Sequence, residues 1–260
     1  MKKPSVCVLR TDGINCDEET FYAFEKAGGE CRFVHINQLR RKELTLSSFH
    51  VLALPGGFSY GDDILSGKVL AVELISFLKE QLVGFVEAGK PVLGICNGFQ
   101  VLVRTGLLPD LCPGTVKTTL MFNDSGRFEC RWVNLLVEKS PSIFTKGMEG
   151  RLLCVQAAHK EGKFFTDAST LDVIEKRRQV VFRYAGADGR PTLDYPANPN
   201  GSLSAIAGIC DPSGLVMGMM PHPERYVEVT QHPNWRRLNG NAEPHGLGIF
   251  KNAVAYARQM

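Results

Sequence analysis

The sequence predicts an α/β protein: a single domain over residues 1–260 whose central, mostly parallel sheet is covered by helices on both faces and gains mixed or antiparallel strands in its second half. Three observations support this. Short apolar runs alternate with longer amphipathic ones through the first hundred residues. The short runs are continuously apolar, as strands covered on both faces are. No segment resembles a linker long enough to separate independent domains, and 260 residues with 44% apolar content can bury one substantial core.

In chain order, "SVCVL" (5–9) reads as the first strand, being β-rich and too short for a helix. "DEETFYAFEKAG" (17–28) follows as a helix, opened by acids and closed by glycine. "CRFVHI" (31–36) and "HVLALP" (50–55) are the next strands, "KVLAVELISFLKEQLVGFVEAG" (68–89) a long helix, and "PVLGI" (91–95) a strand running into a helix that begins "NGFQVLVRTG" (97–106). The second half brings strand-like runs at 127–138, 151–159, 179–185, 203–211 and 215–222, separated by turn-rich pieces such as "GADGRP" and "YPANPNGS". A helix, "LGIFKNAVAYARQM" (247–260), closes the pattern.

Composition narrows the function. The N-terminus turns polar at "RTDGINCDEE", without the apolar core of a secretion signal, and no apolar run approaches the roughly 20 residues of a membrane helix. The eight cysteines include no CxxC pair, which suits reduced thiols and a cytoplasmic protein. Cys7, Cys154 and Cys210 lie in apolar runs and read as packing residues. Basic clusters such as "QLRRKE" have acids beside them, so neither nucleic acid nor a membrane surface is an expected partner.

Chemistry concentrates in three loops that follow strands. Gly94-Ile95-Cys96-Asn97-Gly98 has the form of a nucleophile elbow, a tight strand-to-helix turn that exposes its central residue, with the helix N-terminus favouring a thiolate. A working thiol needs a base. His222 ends an apolar run, and in extended chain its side chain would share a side with that of Glu224 two residues on, a general base with its orienting carboxylate. "LPGGFSYGDD" (54–63) carries tandem glycines whose amides can face a ligand, and Gly57 with Asn97 fits the two backbone donors of an oxyanion hole. It lacks the lysine and Ser/Thr of a nucleotide phosphate loop.

"GICNGFQ", "PGGFSYGD" and "MPHPER" together resemble the signature segments of class I, triad-type glutamine amidotransferases. The likeness extends through "RTDGINCDEET", "NDSGRFECRWV", "AAHKEGKF" and "NPNGSLSAIAGICDPSGLVMGMMPHPER", and Asn97-Gly98-Phe99 with Met220-Pro221 is nearest the form of members serving purine biosynthesis. The resemblance implies a class I glutaminase (flavodoxin-like) fold in which Cys96 attacks glutamine, His222 moves the proton and Glu224 fixes the imidazole. It further implies Gln100, Arg127 and Phe128 as holders of the substrate's amino-acid end, and no metal or cofactor in this chain. ATP and magnesium would belong to a large synthetase subunit that receives ammonia, with a small accessory subunit beside it. A γ-glutamyl hydrolase and a non-catalytic scaffold of the same fold are the alternatives. For the extension at 227–246, partner contact and a solvated loop both stay open.

Overall fold

The computed structural model of the chain describes residues 3–237 and 243–260. Its elements are β1 (Ser5–Arg10), α1 (Asp17–Lys26), β2 (Glu30–His35), α2 (Ile36–Arg40), β3 (Val51–Leu54), α3 (Lys68–Glu87), β4 (Val92–Ile95) and α4 (Asn97–Thr105). There follow β5 (Thr118–Phe122), β6 (Glu129–Val137), β7 (Leu152–His159), β8 (Glu161–Thr166), α5 (Ala168–Lys176), β9 (Val180–Ala185), β10 (Ile206–Cys210), β11 (Val216–Met219) and α6 (Leu247–Ala257).

Nine strands form one sheet in the order β2-β1-β3-β4-β11-β10-β9-β6-β7. The first five are mutually parallel, and every later pairing is antiparallel. The expected parallel core and the expected antiparallel strands are therefore one continuous sheet. The chain steps from β1 through α1 to β2 in one direction and from β3 through α3 to β4 in the other; with right-handed crossovers this sends α1 and α3 to opposite faces. Contacts agree: α6 packs beside α1, and α4 beside α3. Phe24 of α1 meets Phe250 of α6 edge to face at 4.9 Å. Covered on both sides, β3 and β4 are buried at every position, each large apolar side chain contributing about 1.5–3 kcal/mol.

Several elements were not legible in the sequence. β5 and β8 pair with each other as a separate antiparallel ribbon. α5 is capped by Asp167, whose carboxylate accepts from Thr170 N–H at 2.9 Å, and it buries fully only Ile174. In the extension, residues 238–242 lie outside the described residues. The residues before them fold back on the domain: Glu228 bonds Tyr22 and Lys26 of α1, and His232 packs on Trp132 and Tyr226.

Sheet register positions the site. Leu54 pairs with Gly94 and Gly94 with Gly218, so the carboxyl ends of β3, β4 and β11 lie side by side. The loops leaving them carry Gly57, Cys96 and His222, at the edge where open α/β sheets bind ligands.

Candidate active site

Cys96 sits between β4 and α4 with φ 51° and ψ −105°, a conformation that side-chain-bearing residues seldom adopt. Its N–H donates to the Met219 carbonyl at 2.8 Å and its carbonyl accepts from Gln100 N–H at 3.0 Å, so sheet and helix hold the turn from both ends. The flanking glycines follow from crowding. A Cβ on Gly98 would lie 1.9 Å from the Leu54 carbonyl oxygen, and one on Gly94 would lie 2.7 Å from the Gly98 carbonyl oxygen.

His222 and Glu224 meet as expected, by a different local route. Residues Pro223–Arg225 form a 3₁₀ turn with His222 as its cap, so the two side chains are not aligned by extended chain. The cause is tertiary: His222 N–H donates to the Gln156 carbonyl at 2.7 Å, anchoring the residue to β7 while the proline turn swings Glu224 back. Nδ1 of His222 lies 2.6 Å from Oε1 of Glu224, and both side chains are buried. Burial works to lower the basicity of His222, but Glu224 and Cys96, with contacts to the Cys16 and Cys96 thiols, outweigh it and hold the imidazole well above its ordinary pKa.

The loop after β3 is zipped to the loop after β1. Cys16 N–H donates to the Gly56 carbonyl and Phe58 N–H to the Gly13 carbonyl, leaving the Gly57 amide unused by this pair of bonds. Gly57 has φ 133°, and a Cβ there would meet Asn15 N at 2.7 Å. Gly56 sits among the reactive groups, since a Cβ on it would lie 2.8 Å from His222 Cε1 and 3.3 Å from both Cys16 Sγ and Cys96 Cβ. Asn97 opens α4, so its N–H has no partner inside the helix.

One cleft takes in Cys96, His222, Gly57, Gln100 and Phe128. Gln100 is buried with its amide committed to the protein: Nε2 donates to the Glu161 carbonyl and Oε1 accepts from Asn97 Nδ2. Phe128 stands at the mouth, half exposed, with its ring centroid 6.4 Å from that of Phe58. Arg127 is not brought in. Its side chain is exposed and outside the cleft lining; Asn123 Nδ2 donates to the Arg127 carbonyl, and from this turn it is Phe128 that borders the cleft.

The cleft also holds residues that motif reading passed over, among them Cys16, Asp62, His159, Glu161 and Arg225. Their segments were visible, but no local rule gave them roles. Asp62 accepts from Asn97 Nδ2, Ser66 Oγ and Gly67 N–H, while burial raises its carboxyl pKa. His159 is buried and pushed down to about 3, chiefly by burial and then by nearby His222, so it stays neutral; its Nε2 has no hydrogen-bond partner among the described residues.

A parallel α/β sheet that presents a cysteine elbow beside a paired histidine and glutamate defines the class of thiol-dependent amide-cleaving α/β proteins. The chain belongs to the CobB/CobQ-like glutamine amidotransferase domain family, whose model matches residues 3–257. It is 49% identical over 261 residues to the phosphoribosylformylglycinamidine synthase subunit PurQ of Dehalococcoides mccartyi, covering 100% of both chains. The subunit of that name from Methanococcus maripaludis strain S2 is 41% identical, with 97% of each chain covered. Among solved structures, a chain of PurLQS from Thermotoga maritima superposes with TM-score 0.76 at 33% identity, covering 98% of this chain and 99% of the other. A glutamine amidotransferase from the same organism, 13% identical with TM-score 0.56, shares the fold.

Proposed function

We propose that this chain is the glutaminase subunit of phosphoribosylformylglycinamidine synthase, hydrolysing L-glutamine and passing ammonia to an ATP-dependent synthetase subunit in purine biosynthesis. The observation that carries this reading is the meeting of Cys96 and His222 in one cleft, with the buried Glu224 bonded to His222 behind it, in a chain matched along its length by subunits of that name. Cys96 Sγ attacks the carboxamide carbon while His222 takes the thiol proton and returns it to the departing nitrogen, releasing ammonia. A high imidazole pKa suits this, because a protonated His222 beside Cys96 favours the thiolate. Glu224 fixes the ring through Nδ1. The oxyanion is held by the N–H groups of Gly57 and Asn97, each worth about 3 kcal/mol of barrier. Water activated by His222 then hydrolyses the glutamyl thioester to glutamate. Phe128 borders the substrate's entry, and Gln100 shapes the cleft floor by fixing Glu161 and Asn97.

Synthesis of the amidine from formylglycinamide ribonucleotide lies on the large subunit, which binds ATP and magnesium, and a small accessory subunit completes the enzyme. The chain works in the cytoplasm; no helix among the described residues is long and apolar enough to cross a membrane. The test is reconstitution with the synthetase partner. Cys96→Ala is expected to abolish glutamine-dependent amidine synthesis and to spare synthesis from high ammonium, and equal loss of both would refute the assignment. Comparing glutamine with longer γ-glutamyl amides separates this activity from a γ-glutamyl hydrolase.

A further inference from the structure

His222 and Glu224 are half of a larger cluster. Cys16 and Glu19 bring a thiol and a second carboxylate so close that the four donor atoms lie within 4.8 Å of one another. Sets of one sulfur, one imidazole and carboxylates suit zinc-like cations. Glu224 Oε2, fully buried, has no hydrogen-bond partner among the described residues. A cation is nevertheless already present: Arg225 Nε donates to Glu19 Oε1 at 2.8 Å, and Nη2 approaches Cys16 Sγ at 3.2 Å.

Building on the glutaminase reading, we infer that Arg225 is the resident cation of a latent metal site: its guanidinium takes the charge-balancing place of a divalent ion and, by pinning Cys16 beside His222, positions the imidazole for Cys96. A guanidinium suits both tasks. It stays charged, and its planar array of donors reaches two acceptors at once. A bound divalent ion would instead need the Cys16 thiolate and a lone pair of His222, which would remove the base from proton transfer.

Cobalt(II) is the probe, because a cobalt–thiolate bond has its own ultraviolet absorption band. Titrations use the full chain in a Cys96→Ala background, so that the nucleophile cannot contribute a ligand. With Arg225 intact, no thiolate band is expected at micromolar cobalt. Arg225→Gln should bring the band in, a further Cys16→Ser should remove it, and Arg225→Lys, which keeps the charge, should exclude cobalt as Arg225 does. A band with Arg225 intact or in the Arg225→Lys variant, or none in folded Arg225→Gln, overturns the inference. If Arg225→Gln does not fold, the decision rests on Arg225→Lys. With Cys96 restored and the synthetase present, Arg225→Gln should lower kcat about 10- to 100-fold at unchanged KM, and Arg225→Lys should recover most of that loss; unchanged kcat in the glutamine variant, or no recovery with lysine, counts equally against positioning. A wild-type enzyme inactive on glutamine would defeat the glutaminase reading while leaving the cobalt result to stand.

Discussion

Two thiols in this molecule face the same histidine from two similar places. Cys96 caps the N-terminus of α4 and Cys16 caps that of α1; both are buried, both line the cleft and both have side-chain contact with His222. They differ in backbone and in charge. Cys16 has the unstrained angles φ −105° and ψ 17°, whereas Cys96 is held at φ 51°. The first turn of α1 carries Asp17, Glu18 and Glu19, and that of α4 carries no acid. A helix N-terminus is therefore not enough to make a nucleophile. Burial first, and then the Glu224 and Glu19 carboxylates, oppose a thiolate at Cys16, and on the proposed mechanism the strained turn is what presents Cys96 to substrate.

The largest expected effect divides the two thiols outright. Glutaminase turnover in the assembled enzyme should fall on the order of 10⁴-fold or more in Cys96→Ala, but only about 10- to 100-fold in Cys16→Ala, whose action passes through His222. Comparable losses would erase the distinction.

Labelling sharpens it. An electrophilic glutamine mimic is expected to modify Cys96 and no other cysteine, including Cys16 within the same cleft. Peptide mapping checks this, and appreciable adduct on Cys16 would show that its carboxylate neighbours do not restrain it.

The turn beneath Cys96 is the next difference to probe. Gly98→Ala forces a Cβ to within 1.9 Å of the Leu54 carbonyl oxygen and should cost about 3 kcal/mol of stability or more. Gly84→Ala is the internal control, since among the described residues nothing beyond the backbone of its own helical turns lies within 4 Å of its Cβ and Gly84 is inside α3. It should stabilise by roughly 0.5–1 kcal/mol. Denaturant midpoints measure both, and a Gly98→Ala protein as stable as wild type would mean that the elbow is not sterically fixed.

The smallest effect tests the charge argument alone. Neutralising one first-turn acid with Glu18→Gln should speed alkylation of Cys16 by a small reagent a few-fold, in keeping with about 0.3–1 kcal/mol per dipole-facing charge. An unchanged rate would assign the quiet of Cys16 to burial.

The local signals were sufficient where one short segment contains its own cause. The strands before Gly57 and Cys96 show as continuous apolar runs because both faces are covered, and Gly94, Cys96 and Gly98 mark the elbow because crowding leaves no alternative to glycine at its edges. The histidine–glutamate pair was visible from spacing, although a 3₁₀ turn brings it about. Arg127 belongs to a segment that reaches the cleft through Phe128, while its own exposed side chain is not part of the lining.

From the sequence alone came the α/β class, the order of most elements, the elbow, and the histidine with its carboxylate, since each depends on periodicity or on contacts within a few residues. Only the tertiary structure joined the antiparallel strands to the parallel ones, paired β5 with β8, and drew Cys16, Glu19 and Arg225 around His222. The last of these groupings depends on β1, β3, β4 and β11 lying in one sheet, so that residues more than two hundred positions apart in the chain leave the same sheet edge and meet across the ends of β3 and β4. Sheet order sets that proximity, and no local pattern of residue types records it.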